Sequence, residues 1–190
     1  MLRRELECRR RSLYVGCKNK VMEIPAETSD MRSKNILKEN EKKQGKIQLQ
    51  INITRSEFQR SFKNHYGMYK NTGTDMPYHS RLLMLFYSVE CGLKSMILKK
   101  IGKNTYEDLK FYYEINGKKV PGHDLKAMTK EVGIETRFPL KKIQLKGGGF
   151  ILPGKYNELW RYGAHIENEE EEQREEKTLV QIAEWLLQRI

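Results

Sequence analysis

The segment from Leu85 to Ile97, Leu-Phe-Tyr-Ser-Val-Glu-Cys-Gly-Leu-Lys-Ser-Met-Ile, constrains the fold more than any other part of the chain. Leu82, Phe86, Val89, Leu93, Met96 and Ile97 recur every three or four residues, which places them on one side of a helix predicted from about Tyr78 to Ile101. Glu90 and Lys94 interrupt this apolar pattern, and a charge in such a position is costly to bury unless it is paired. Their spacing of four, acid first, suits a pair along the helix. Two roles fit these residue types: an ion pair at the edge of the core, or a Lys94 amine that contacts an anionic ligand.

The flanking sequence extends the helical pattern. Thr54 followed by Glu57 has capping-box spacing and opens a predicted helix from about Arg55 to Lys70, with Phe58, Phe62, Tyr66 and Tyr69 on one face. Further short helices are expected over Thr105 to Tyr113, from Gly122-His123-Asp124-Leu125 to Gly133, and over Tyr156 to Tyr162. Leu179, Ile182, Ala183, Leu186 and Leu187 form the apolar face of a last helix, and the acidic run Glu167 to Glu172 before it suits helix entry and solubility. Alternation at Ile47, Leu49, Ile51 and Ile53 predicts a short strand, and Gly147-Gly148-Gly149 within Phe138 to Leu152 predicts a β-hairpin or loop. The fold class is therefore all-α with a small β insertion.

Charge is unevenly distributed over the 190 residues, whose formal net charge is +11. Residues 1–46 carry 13 Lys/Arg against 7 Asp/Glu and lack a sustained hydrophobic period, so they are expected to be a basic, disordered leader, with residues 47–190 forming the folded domain. Residues 47–150 carry 18 against 9, whereas residues 151–190 carry 5 against 9. A basic body of this kind suits a polyphosphate partner, RNA or a nucleotide. The three cysteines, Cys8, Cys17 and Cys91, have no metal-site spacing and fit a reducing cytoplasm. No apolar run approaches the roughly 20 residues that a membrane span needs.

Neither a metal nor another cofactor is expected, since His65, His79, His123 and His165 are dispersed without the helical spacing of metal ligands. Gly149 to Lys155 has the glycine and lysine spacing of a phosphate-binding loop, but Tyr156 stands where that loop needs a hydroxyl for magnesium. Arg161 and His165 would share a side if one helix carried both, and together they could cleave RNA without metal, the imidazole moving a proton and the guanidinium stabilising charge on the phosphate. Arg60 and His65 form a second, more widely spaced Arg/His pair. His123, at the mouth of a predicted helix, suits either a local hydrogen bond or a proton-carrying role.

Three segments in order resemble the HEPN family of prokaryotic helical domains. Phe86 to Lys94 resembles its long helix, Gly122-His123-Asp124-Leu125 resembles the His-Asp-Leu segment that follows, and Leu159-Trp160-Arg161-Tyr162-Gly163 is similar to the Arg-Tyr step before the last helix. The resemblance covers Arg55 to Ile190. It implies an up-and-down bundle of about four or five helices, usually a homodimer, that is either a metal-independent RNase or a non-catalytic binder of nucleic acid or nucleotide. It also implies a place in toxin-antitoxin, antiphage or related stress systems, with a partner protein of the same system. RNase members have a polar residue after the arginine and a longer interval to the histidine than the three residues between Arg161 and His165. The expectation is therefore binding of RNA or a nucleotide through Arg161, Lys94 and His123. The alternatives are a metal-independent endoribonuclease using Arg161 and His165 across a dimer, and a non-catalytic subunit whose acidic tail docks a basic partner.

Overall fold

The computed structural model describes residues 51–73 and 75–190. The expected leader at residues 1–46 lies outside these residues, as does the first part of the strand expected from Ile47. Within its described part, Ile51 to Ile53 form no strand ladder; Thr54 makes a single antiparallel bridge to Thr105, and Tyr106 donates its amide to the Ile53 carbonyl at 2.8 Å. Residues that open two helices are thus tied together.

Helix α1 spans Arg55–Asn71 and opens with the predicted capping box: the Thr54 hydroxyl accepts from the Glu57 amide, while the Glu57 carboxylate accepts from the Thr54 amide at 2.7 Å. These bonds satisfy donors that the helix itself leaves open. Thr54→Ala is expected to lower stability by about 1 kcal/mol, read as a shift in the urea midpoint. Phe58, Phe62, Tyr66 and Tyr69 are buried against α2, which spans Tyr78–Lys100. Leu82, Phe86, Val89, Leu93 and Ile97 are buried along α2 as their spacing requires, whereas Met96 is only partly buried.

Helix α3 (Tyr106–Ile115) has its own capping box from Thr105 and Asp108. Helix α4 (Leu125–Val132) begins with Asp124 accepting from the Ala127 amide at 3.0 Å and ends at Gly133 in the left-handed region. Strands β1 (Ile143–Gln144) and β2 (Phe150–Ile151) form the antiparallel hairpin, with Gly147, Gly148 and Gly149 all at positive φ in the connection. Such φ values are accessible to glycine without a Cβ clash, which explains the triplet. A 3₁₀ turn (Pro153–Lys155) leads into α5 (Tyr156–Tyr162), and α6 spans Glu169–Leu187.

Among the described residues the fold is a bundle of six α-helices with a two-stranded sheet, the all-α bundle with a small hairpin that the sequence predicts. Helix α2 lies at its centre, touching α1, α4, α5 and α6. Gly92 permits the closest of these approaches: a Cβ at that position would lie 2.6 Å from Leu186 Cδ1 on α6 and 3.1 Å from Phe62 Cδ2 on α1. No helix among the described residues is long and apolar enough to cross a membrane.

The acidic run occupies the first turn of α6, as expected for helix entry, and its inner members have a further role. Glu169 and Glu170 are exposed in its first turn, but Glu171 accepts the Gln144 amide at 2.7 Å and Glu172 accepts the Trp160 indole N–H at 2.8 Å. One turn on, Glu175 accepts the Lys141 amide at 3.1 Å, and Glu176 takes the Tyr69 hydroxyl at 2.7 Å and Arg81 at 3.2 Å. These doublets sit beside the apolar stripe and fasten α6 to the hairpin, α5, α1 and α2.

Candidate functional site

Glu90 is the hub of the site. It is 5% exposed, and its two carboxylate oxygens serve two different cations or donors: Oε1 lies 2.5 Å from Lys94 Nζ, one turn along α2, and Oε2 lies 3.0 Å from His123 Nδ1. Lys94, 8% exposed, also stands over the rings of Tyr106 and Phe58, at 5.2 and 5.9 Å from their centroids. Paired and flanked by aromatic faces, its amine is compensated without water. Of the two roles open to Lys94, the structure gives it the internal ion pair.

His123 reaches Glu90 because Gly122, at a φ of +58°, turns the chain just before Asp124 caps α4. With Nδ1 held by a buried carboxylate, its ring orientation is fixed, while its outer edge remains open: the side chain is 57% exposed and lines a groove. A histidine so held can donate to an anion or move a proton.

Arg161, on the last turn of α5, donates from Nη2 to the Tyr87 hydroxyl. Tyr87 and Tyr162 push the guanidinium pKa upward through their hydroxyls, so the exposed group stays cationic. Tyr162 is 74% exposed. Tyr87 and Glu90 are three residues apart on α2, about one turn, so Arg161 and His123 are suspended from the same side of the central helix. His65 of α1 lies against this edge, its ring 6.1 Å from that of Tyr87, with Nδ1 buried and without a hydrogen-bond partner among the described residues. Burial holds His65 below the usual imidazole range, opposed by the field of Glu90.

The expected pairing of Arg161 with His165 on one helical face does not form. Gly163, at a φ of +63°, ends α5 two residues after Arg161. His165 continues in extended backbone whose carbonyl accepts the Lys146 amide at 3.0 Å, and it lines a separate cleft of about 360 Å³ with Lys146, His79 and Glu172. The glycine that caps the helix is the physical reason: helical phase stops where the left-handed residue stands. Arg60 is likewise separated from His65, being turned toward Glu57 at 3.8 Å.

In the cleft that holds His165, burial pushes the Glu172 carboxyl above its usual range, against the opposing pull of the Trp160 N–H and of His79 at 3.6 Å. Between the ordinary value of 4.5 and this raised one, the folded protein binds more protons than the unfolded chain, so the contribution of Glu172 to stability falls as pH rises through that window. Glu172→Gln keeps an acceptor for Trp160. It is expected to raise the thermal midpoint at pH 7 relative to the wild type, with the difference vanishing below about pH 4.5.

The sequence singled out Glu90, Lys94, His123 and Arg161 but not Tyr87, whose hydroxyl accepts from Arg161. Its position three residues before Glu90 was the available signal. No group of three or more His, Cys, Asp or Glu among the described residues is arranged to hold a metal. No family model, characterised protein or solved structure matches this chain.

Proposed function

We propose that the edge of α2 bearing Tyr87 and Glu90, with Arg161 and His123 suspended from it, contacts the phosphates of RNA or a nucleotide. In keeping with the HEPN resemblance, the protein acts as a binding accessory of a prokaryotic defence, toxin-antitoxin or stress system. The observation that carries this reading is the suspension of Arg161 and His123 one helical turn apart on a shared face. Arg161 supplies a permanent cation with its planar donors exposed, suited to phosphate oxygens. Tyr162 beside it offers an exposed ring on which a base can stack.

Fluorescence anisotropy with a labelled single-stranded RNA tests this directly. Binding is expected to weaken by about tenfold or more between roughly 50 and 200 mM salt, because phosphate contacts release counterions. Arg161→Ala should weaken it by about tenfold, as loss of a charge-assisted contact implies. No binding at low salt, or binding insensitive to both salt and Arg161, would refute the proposal.

One observation favours a second reading, a metal-independent RNase: the Glu90 to His123 bond holds an imidazole as a general base or acid must be held. In that reading His123, rather than His165, is the proton carrier beside Arg161. The expected result is RNA binding without cleavage in EDTA. EDTA-resistant cleavage lost in His123→Ala, with helical circular dichroism unchanged, would transfer the assignment to the nuclease.

A further inference from the structure

The groove lined by His123 has a feature that RNA contact along α2 does not use. It lies between residues 119–127 and residues 152–158 and has a volume of about 730 Å³, within the size range of small-molecule sites. Lys119, Lys126 and Lys155 stand exposed at its rim with His123, and Pro153 and Asn157 are buried in its lining. The two walls meet closely at Gly154, where a Cβ would lie 3.1 Å from Asp124 Cγ. Gly154-Lys155, whose spacing resembles a phosphate-binding loop, thus leads into α5 while facing the start of α4 across the groove.

Asn157 is 5% exposed, and its Oδ1 has no hydrogen-bond partner among the described residues. A buried amide oxygen in a native fold ordinarily accepts a donor, and here a ligand entering the groove can supply one. The rim adds the requirement for an anion. Lys155 is tied to Glu158 and Lys126 stands 4.0 Å from Glu135, but Lys119 has no carboxylate partner among the described residues. Val120, Leu152 and Pro153 supply apolar surface for a flat ring.

We propose that this groove is a binding site for a small phosphorylated compound whose ring carries an amino or N–H donor, with Asn157 accepting from that donor and Lys119 meeting the phosphate. The proposal shares His123 with the phosphate-binding reading above and rests on it to that extent; Arg161 does not line the groove. AMP is the test probe because its amino group is paired with a ring nitrogen that an amide side chain recognises.

Calorimetric titration of the full chain with AMP, purine riboside 5′-monophosphate and inorganic phosphate measures the terms separately, with the labelled RNA titrated in parallel. AMP is expected to bind, and loss of its amino group to weaken binding by about tenfold. Asn157→Leu should weaken AMP by a similar factor while leaving the thermal midpoint unchanged or higher, since it removes a buried polar group. The exposed Lys119→Ala, which does not test folding, should weaken AMP and phosphate alike. Amide shifts on AMP addition should centre on residues 119–127 and 152–158. No AMP binding, equal affinity for the analogue lacking the amino group, or shifts centred elsewhere overturns the proposal. RNA binding without AMP binding leaves the α2-edge reading standing and removes this one; AMP binding with shifts in the groove and no RNA binding supports this one and removes RNA as the ligand of the α2 edge.

Discussion

Replacing Glu90 by alanine is expected to destabilise the protein by about 3–5 kcal/mol, the usual effect of removing one partner from a buried ion pair. The carboxylate is the acceptor for both the Lys94 amine and His123 Nδ1. Without it Lys94 keeps only the faces of Tyr106 and Phe58, which do not replace an ion pair in a site closed to water. Lys94→Met should have a smaller effect, because Glu90 keeps its hydrogen bond to His123 Nδ1. The double change Glu90→Leu with Lys94→Met should recover most of the loss, as apolar replacement of a whole buried pair often does. Urea denaturation of the four proteins measures these values, and a loss below about 1 kcal/mol for Glu90→Ala would show the pair to be hydrated and weak.

Glu175→Ala is expected to cost about 1–3 kcal/mol, the penalty of leaving a buried donor without its acceptor. This side chain is fully buried on α6, where Oε2 accepts the Lys141 amide at 3.1 Å and lies 3.0 Å from the Tyr156 hydroxyl, while Oε1 takes Arg174 Nε at 2.9 Å. Its removal orphans a backbone donor in the approach to β1 and leaves Arg174 without that partner. Burial and the Glu175 charge push the Tyr156 phenol well above its usual pKa, so this hydroxyl stays protonated. Glu175→Gln, which retains one acceptor but loses the charge, should lie between the wild type and the alanine variant. Proton NMR offers an independent readout: the Lys141 amide should lose exchange protection in Glu175→Ala before the centre of α2 does.

Several features were legible in sequence because their causes are local. The α1 capping box joins residues three positions apart, Gly133 and Gly163 end helices through their own backbone conformation, and the stripe from Leu82 to Ile97 follows from a period of 3.6. Gly163 shows how a correctly placed helix end still altered the site. It ends the short helix over Tyr156–Tyr162 as predicted, and in doing so it prevents His165 from sharing a helical face with Arg161. The described end of the strand expected from Ile47 shows the complementary limit: alternation does not name a partner, and among the described residues the packing of α3 brings Thr105 to Thr54 as an isolated bridge.

The helical class, the capped ends and the glycine hairpin follow from residues within about one turn or one tight connection of one another, as does the spacing that lets Glu90 pair with Lys94. Only the tertiary structure decided that His123 shares Glu90 from 33 residues away and that Arg161 meets Tyr87 from 74 residues away. It also decided which acidic residues of α6 point inward and that Asn157 faces a groove without a partner. The physical reason is that periodicity and capping report the surroundings of a residue along its own element, whereas the partner of a buried polar group depends on which elements pack together and at what phase.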